Sequence, residues 1–220
     1  MLPSTVEKLP PEENMRRDEE ALLSVESGQN SCLWRIYRWD RLCLSLGRHQ
    51  VPPRNLSLPV VKRPTGGGAL LHGWDVSFSV AALRESWGAK PRRIYLRIAL
   101  LIAESFRDLG IDVSVVRSSG GYRGAFFCFS TPSPGELTWR GRKIAAVAMR
   151  TLRRAFLIQG SVYLHFDYAL ASQLTGASEE VLRERIVSLE EVSAGGEFVS
   201  VLRKKLSRLT PVCPDRRAGL

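Results

Sequence analysis

Cys128 and Lys143 have the chemistry of a nucleophile and its helper, and they stand fifteen residues apart, a spacing that one hairpin can close. A free thiol ionises at a pKa of roughly 8.5, and an adjacent ammonium lowers that value and raises the thiolate fraction near neutral pH. Thiolate attack on an acyl thioester gives an acyl-enzyme that an acceptor amine can open. The same ammonium can steady charge developing on the carbonyl oxygen. A cysteine among phenylalanines (Phe126, Phe127, Phe129) is also the pattern of a small buried apolar residue. Composition by itself points to that second reading.

The other stretch with chemistry in it runs from Lys62 to His72. Val60 and Val61 end a short apolar strand, Pro64 stops it, and Gly66, Gly67 and Gly68 lead into Ala69-Leu70-Leu71 as the next strand. Glycine lacks a Cβ, so such a run can take φ > 0 and let a ligand lie directly on its N–H groups. Lys62 and Arg63 put positive charge at the entrance, suited to a phosphate, a carboxylate or a polarised carbonyl. A plain turn between strands would use the same residues. His72 fits a hydrogen-bonded wall residue better than a catalyst.

Strands and helices must bring these stretches together. A helix is predicted from about Met15 to Ser27, capped by Asn14, ended by Gly28 and buried along Met15, Leu22, Leu23 and Val25. Cys32–Trp39 and Leu42–Leu46 read as strands, with Cys43 and Ser45 on the face opposite Leu42, Leu44 and Leu46. Val76–Leu83 is a further strand. Pro91 opens a helix over about Arg92 to Leu109, buried along Ile94, Ile98, Leu101, Ile102 and Leu109. A strand follows over Asp112–Arg117, then a glycine loop over Ser118–Gly124 and a turn broken by Pro132 and Pro134. Glu136–Trp139 and Arg142–Arg150 pair as a hairpin around Arg140-Gly141, and Ala155–Leu164 follows the basic turn Thr151–Arg154. The remainder is helical: Tyr168–Leu174, Glu179–Ile186 with Ser178 as N-cap, and a basic amphipathic helix within Glu197–Leu209. The expected fold is α+β, with mixed, largely antiparallel sheets and packed helices. Residues 1–13 and 210–220 read as loose tails around one catalytic domain at 14–209.

The 220 residues, 44% hydrophobic and 25% charged, are enough for one core without disulfide staples. No run approaches the ~18 apolar residues of a membrane span, and the acidic, proline-rich start has no secretory h-region, so a cytoplasmic location is expected. Four scattered cysteines and three histidines show no metal-ligand or disulfide spacing. The formal charge of +10 implies an anionic partner. Nucleic acid is one candidate, though no nucleic-acid-binding signature accompanies that charge, and acidic proteins are the other; charge alone does not choose between them.

Arg63-Pro-Thr65-Gly66-Gly67-Gly68-Ala69-Leu70-Leu71-His72, with Asp75 and Ser77-Phe78-Ser79 beyond, resembles the ligand loop of the lipoate–protein ligase A and octanoyltransferase family, within the biotin/lipoate ligase fold. In the same chain order, Asn14–Leu23 resembles that family's first helix and Leu44–Gln50 its Gly-Arg-x-Gln strand end. Gly141–Ala145 resembles its lysine strand and Gly160-Ser161-Val162 its Gly-Ser strand. Cys128, Pro132-Ser133, Glu136-Leu137 and Gly141-Arg142-Lys143 reproduce the layout of the cysteine-dependent octanoyltransferase branch. The resemblance implies an acyltransferase in protein lipoylation, with Cys128 as nucleophile and Lys143 as electrostatic helper. Arg63, Thr65, Gly66, Gly67, Gly68, Ala69, His72, Gln159, Gly160 and Ser161 would line the acyl site. The donor would be acyl carrier protein. The acceptors would be lipoyl domains such as glycine cleavage H protein or dehydrogenase E2 subunits. No cofactor is required on that reading. The alternatives are an ATP-dependent ligase using ATP and Mg, with Cys128 inert, and a non-catalytic paralogue that binds acyl carriers or acceptor domains. Three positions depart from the pattern: Gly68 where the transferase branch often has Arg, Ala145–Ala148 in place of a Gly-Ser, and Gln159 where His is usual.

Replacing Gly67 by Val adds a β-branched side chain where a backbone N–H is expected to face ligand. Acyl transfer should collapse while most of the fold survives. Unchanged donor kinetics would reduce the glycine run to a turn.

Overall fold

Two adjacent strands alternate their faces over nine residues each, and the rest of the fold is arranged around them. The computed structural model describes residues 6–52, 57–117, 126–128, 133–192 and 197–209. In chain order the strands are β1 (Glu7–Leu9), β2 (Cys32–Trp39), β3 (Cys43–Leu46), β4 (Val60–Lys62), β5 (Leu70–His72), β6 (Asp75–Leu83), β7 (Ser114–Val115), β8 (Leu137–Trp139), β9 (Arg142–Thr151) and β10 (Ala155–Tyr163). A seven-stranded sheet has the order β1-β2-β6-β10-β9-β8-β7, and a three-stranded sheet the order β4-β3-β5. The helices are α1 (Pro11–Ser27), α2 (Pro91–Arg107), α3 (Tyr168–Thr175), α4 (Glu179–Arg185), α5 (Leu189–Val192) and α6 (Phe198–Ser207). The α+β expectation therefore holds, and within the large sheet β1–β2 is the one parallel pairing among the described strands.

Along β6 and β10, Val76, Phe78, Val80, Phe156, Ile158 and Val162 point into the main core. There they meet the buried side of α2 (Ile94, Ile98, Ile102, Phe106) and α6, whose Phe198 ring lies 4.7 Å from that of Phe106. The opposite face of the same strands carries Ser77, Ser79, Gln159 and Ser161, all buried. The antiparallel register sets Gln159 beside Ser79 and Ser161 beside Ser77. Helix α1 covers this face, with Leu22 and Val25 against Ala81, Leu83 and Leu157 at its far end. The polar middle of the face is the floor of the site.

Several expectations need correction. Residues 6–13 are not a loose tail: Glu7–Leu9 pairs in parallel with Tyr37–Trp39, and α1 begins at Pro11. Proline suits the first helical position because its missing N–H has no intrahelical partner there. Asn14 is not the cap but a buried residue whose amide donates to the Leu9 and Arg38 carbonyls. Leu23 is 50% exposed, and Asp18 occupies the buried face in its place. The strand expected over Asp112–Arg117 is confined to Ser114–Val115, and α2 ends at Arg107. Short helix α5 was not foreseen. Gly28, Ser178 and the hairpin at Arg140-Gly141 hold their expected places. The loop at 118–124, Pro132 and the tail at 210–220 lie outside the described residues.

Gly160 marks where packing is tightest. A Cβ there would stand 2.1 Å from Cζ of the buried Phe78 ring. Gly160→Ala should destabilise the fold by about 1–3 kcal/mol, the usual range for overpacking. An unchanged urea midpoint would contradict this packing.

Candidate active site

The glycine loop joins β4 to β5, which flank β3 on opposite sides, so it must cross the end of β3. Gly47 makes room for that crossing: a Cβ on it would stand 2.0 Å from the Gly67 carbonyl oxygen. Gly67 itself has φ +91°, in the left-handed region that favours glycine. The buried guanidinium of Arg63 lies beneath the crossing. Its Nη1 donates to the Ser45 carbonyl at 3.0 Å, its Nη2 to the Gly66 and Gly68 carbonyls at 2.6 and 2.7 Å, and its Nε to Gly66 O at 3.2 Å. Thr65, fully buried, donates its hydroxyl to Gln159 Oε1 at 2.7 Å, while Gln159 Nε2 donates to Asp18 Oδ2 at 2.7 Å. Gln159 thereby ties the loop to α1. Asp18 also accepts from Arg35, Tyr37 and Ser79. Burial raises its pKa against the pull of Arg35 and these hydroxyls.

The loop also positions Cys128. Ala69 N donates to Phe126 O at 2.7 Å, and Cys128 N donates to Ala69 O at 2.8 Å, a short parallel bridge. A Cβ on Gly68 would stand 2.9 Å from Cys128 N, so a residue larger than glycine would push the cysteine backbone away. Glycine at this position, a departure from the transferase pattern, is required by the contact.

Cys128, partly exposed, meets two buried charged groups. Its Sγ donates to Glu136 Oε1 at 3.3 Å, and Lys143 Nζ lies 3.6 Å from the sulfur. Lys143 Nζ is also 2.7 Å from Glu136 Oε2 and donates to the Cys128 carbonyl. Ser133 N donates to Glu136 Oε2 at 2.6 Å. Burial opposes the lysine's charge, yet Cys128 and Glu136 hold its pKa above the ordinary range. The thiol moves the other way from the expected depression. Burial and the Glu136 carboxylate push it up to about 11, outweighing Lys143 and Arg63.

A cavity of about 230 Å³ opens beside these groups. Arg63, Gly66, Gly67, Gly68 and His72 line it, as do Cys128, Gln159, Gly160 and Ser161, with Met15, Tyr37, Leu70, Val147 and Met149 among its apolar walls. Thr65, Ala69 and Lys143 stand behind this lining and reach it through the contacts described above. Ala146, Val147 and Ala148 also line the cavity. His72 is a wall residue in a closed polar network. Its Nε2 is 2.7 Å from Ser45 Oγ, its Nδ1 is 2.8 Å from Asp75 Oδ2, and its ring stacks on Trp39 at 4.0 Å. Burial works against the charge of Asp75, but His72, Ser161 and the Gly73 N–H hold its carboxyl at about 2.

Glu136, Asp18, Asp75 and Ser45 were not singled out from the sequence as site residues, though signals for them existed. Asp75, Ser77 and Ser79 alternate with apolar residues along a strand buried on both faces, and Asp18 lies one turn from Met15 and Leu22 on the inner side of α1. Glu136 is a carboxylate beside the lysine strand, eight residues beyond the cysteine.

Fold and pocket together define an α+β catalytic domain with a thiol set against a glycine-loop cavity. The comparisons agree: residues 10–206 match the lipoyl protein ligase A/B catalytic domain family, and the chain belongs to it. It is 29% identical to octanoyltransferase LipM of Moorella thermoacetica, over 90% of this chain and 80% of that protein. With octanoyltransferase LipM of Geobacillus kaustophilus the identity is 32%, over 80% and 70%. Among solved structures, lipoate-protein ligase A bound with ATP superposes with a TM-score of 0.71 at 19% identity, covering 92% of this chain and 81% of that one. A structure described as a bipartite lipoate protein ligase and its E2 lipoyl domain from Thermoplasma acidophilum gives 0.66 at 18%, covering 92% and 79%. At these identities the two structures bear on the fold.

A thiol with a pKa near 11 is protonated at neutral pH, and its thiolate fraction grows roughly tenfold per pH unit below that value. Alkylation of Cys128 by iodoacetamide, followed by peptide mass, should therefore keep climbing from about pH 7 to pH 9.5. A plateau beginning near the ordinary cysteine pKa of roughly 8.5 would show a thiol that burial and Glu136 do not raise, and one beginning well below it would show that Lys143 dominates.

Proposed function

We propose that this chain moves an octanoyl group from a carrier-protein thioester, through Cys128, to a lysine of a lipoyl-acceptor domain. As a member of its family it is an acyltransferase enzyme. The observation that carries the finer reading is the placing of the Cys128 sulfur within 3.6 Å of a buried ammonium, beside a cavity with apolar walls. Sulfur attack on the thioester carbonyl forms the acyl-enzyme and releases the carrier thiol. The acceptor amine then attacks the same carbonyl and returns the cysteine. Lys143 opposes the negative charge that gathers on the carbonyl oxygen in both steps. The acyl chain lies along Met15, Tyr37, Leu70 and Met149, with the carbonyl toward the loop. The relatives' octanoyltransferase names support the acyl group, and the E2 lipoyl domain named with one structural neighbour supports the class of acceptor. The formal charge of +10 suits an acidic carrier. On this reading the reaction consumes no nucleotide and needs no metal, and it takes place in the cytoplasm.

Incubation with octanoyl-acyl carrier protein, without ATP, should add one octanoyl mass to the chain, removable by hydroxylamine and mapping to Cys128. Cys128→Ala should lose both the adduct and the transfer. Full activity of Cys128→Ala with ATP and free lipoate would overturn this reading in favour of a ligase.

A further inference from the structure

We infer that Glu136 is the base that takes the proton from the Cys128 thiol and later returns it to the departing sulfur. The inference rests on the acyl-transfer reading above and assigns a step that reading leaves open. Glu136 is 1% exposed, and its two oxygens are occupied differently. Oε2 receives Lys143 Nζ and the Ser133 N–H, while Oε1 faces the thiol at 3.3 Å. A carboxylate held by two donors on one oxygen cannot rotate away, so the other oxygen stays aimed at the sulfur.

Lys143 cannot serve in its place. An ammonium has three donors and no acceptor. Those donors point toward the Cys128 carbonyl, Glu136 Oε2 and the sulfur itself. Among the described residues, the other charged and titratable groups around the thiol are Lys143 from β9, Arg63 from the glycine loop, Tyr95 from α2 and Tyr163 from β10. Both tyrosines are pushed upward by burial, with Cys128 adding to the shift. Of these groups and Glu136, the carboxylate is the one that can accept a proton at the sulfur.

The step balances as follows. The Sγ–H bond breaks as Oε1–H forms, and the electron pair left on sulfur forms the bond to the acyl carbon. The carbonyl π pair moves to oxygen, beside Lys143. When the oxyanion collapses, the carrier's sulfur leaves and takes the proton from Oε1–H, restoring the carboxylate and its pair with Lys143. In the second half the acceptor amine attacks, its proton passes to Glu136, and Glu136 hands it to Cys128 Sγ as that bond breaks. Proton transfer to Glu136 also cancels the negative charge next to Lys143 when the oxyanion appears, so the ammonium acts on the oxyanion undiminished.

Glu136→Gln separates this role from a purely electrostatic one, because the two predict opposite signs. Removing the carboxylate charge lowers the thiol pKa, so iodoacetamide alkylation of Cys128 at pH 7.5 should speed up. Acyl-enzyme formation from octanoyl-acyl carrier protein, followed by rapid quench and mass, should nonetheless slow by ~10²-fold or more, the usual scale of general-base catalysis. Both rates rising together would overturn the assignment. The wild-type enzyme supplies a measurement independent of whether the variant folds: acyl-enzyme formation should be slower in D2O, because the thiol proton is in flight. No isotope effect, or an inverse one, would mean a preformed thiolate and no base. If the wild type forms no Cys128 adduct at all, the acyl-transfer reading itself falls, a result distinct from a fast Glu136→Gln.

Discussion

The site depends on a buried cation bonded to backbone. A loop with three consecutive glycines is costly to order, because glycine has the most conformational freedom to lose. Arg63 offsets that cost by donating to the carbonyls of Gly66, Gly68 and Ser45, which spans the loop and the strand beneath it. The carbonyl dipoles in turn compensate the guanidinium for its lost water. Lysine in this position would supply a compact point charge in place of a planar fork. The order imposed on the loop passes to Ala69 and then, through one backbone hydrogen bond, to Cys128. Cys128 is thus placed by a segment some sixty residues away in sequence.

Electrostatics at the thiol follow from a local balance of charge. Lys143 alone would favour the thiolate, but Glu136 pairs with it at 2.7 Å and cancels most of its influence. Burial then decides the outcome, and the sulfur rests as a neutral thiol. Oxidants and alkylating agents attack thiolates, so a cysteine held protonated is protected between turnovers. On the proposed reading, reactivity arises when an acyl carbonyl arrives to take up the electron pair.

Much of this organisation was legible in the residues. The glycine run, the strand break at Pro64 and the positive charge at Arg63 located the loop, and the Cys128–Lys143 spacing anticipated that these two residues meet. Two kinds of feature were not legible. One is the partner that cancels an expected effect: Glu136 reads as the start of a strand and part of a motif, and nothing local shows that the hairpin folds its carboxylate onto the lysine. The other is the direction a charged residue faces. Arg63 was read as an entrance charge for ligand, whereas its guanidinium is turned inward to backbone carbonyls. Asp18 was passed over in favour of Leu23, because hydrophobicity alone assigns the buried side of α1. Both errors have the same cause. A satisfied buried polar group is defined by contacts between distant segments, such as Gln159 with Thr65 and Asp18, and local periodicity does not record them.

The ends of the sheets carry a further consequence. The outer strands of the large sheet are β1, with three residues, and β7, with two among the described residues. The outer strands of the small sheet, β4 and β5, have three each. Edges this short give an incoming chain almost no ladder of free N–H and C=O groups to extend. A visiting protein is therefore left to be recognised by side-chain charge and by the shape around the cavity mouth. Contacts of that kind are weak, sensitive to salt and quickly broken. On the proposed reading, in which one protein loads the site and another unloads it, brief encounters at a single opening let the two take turns.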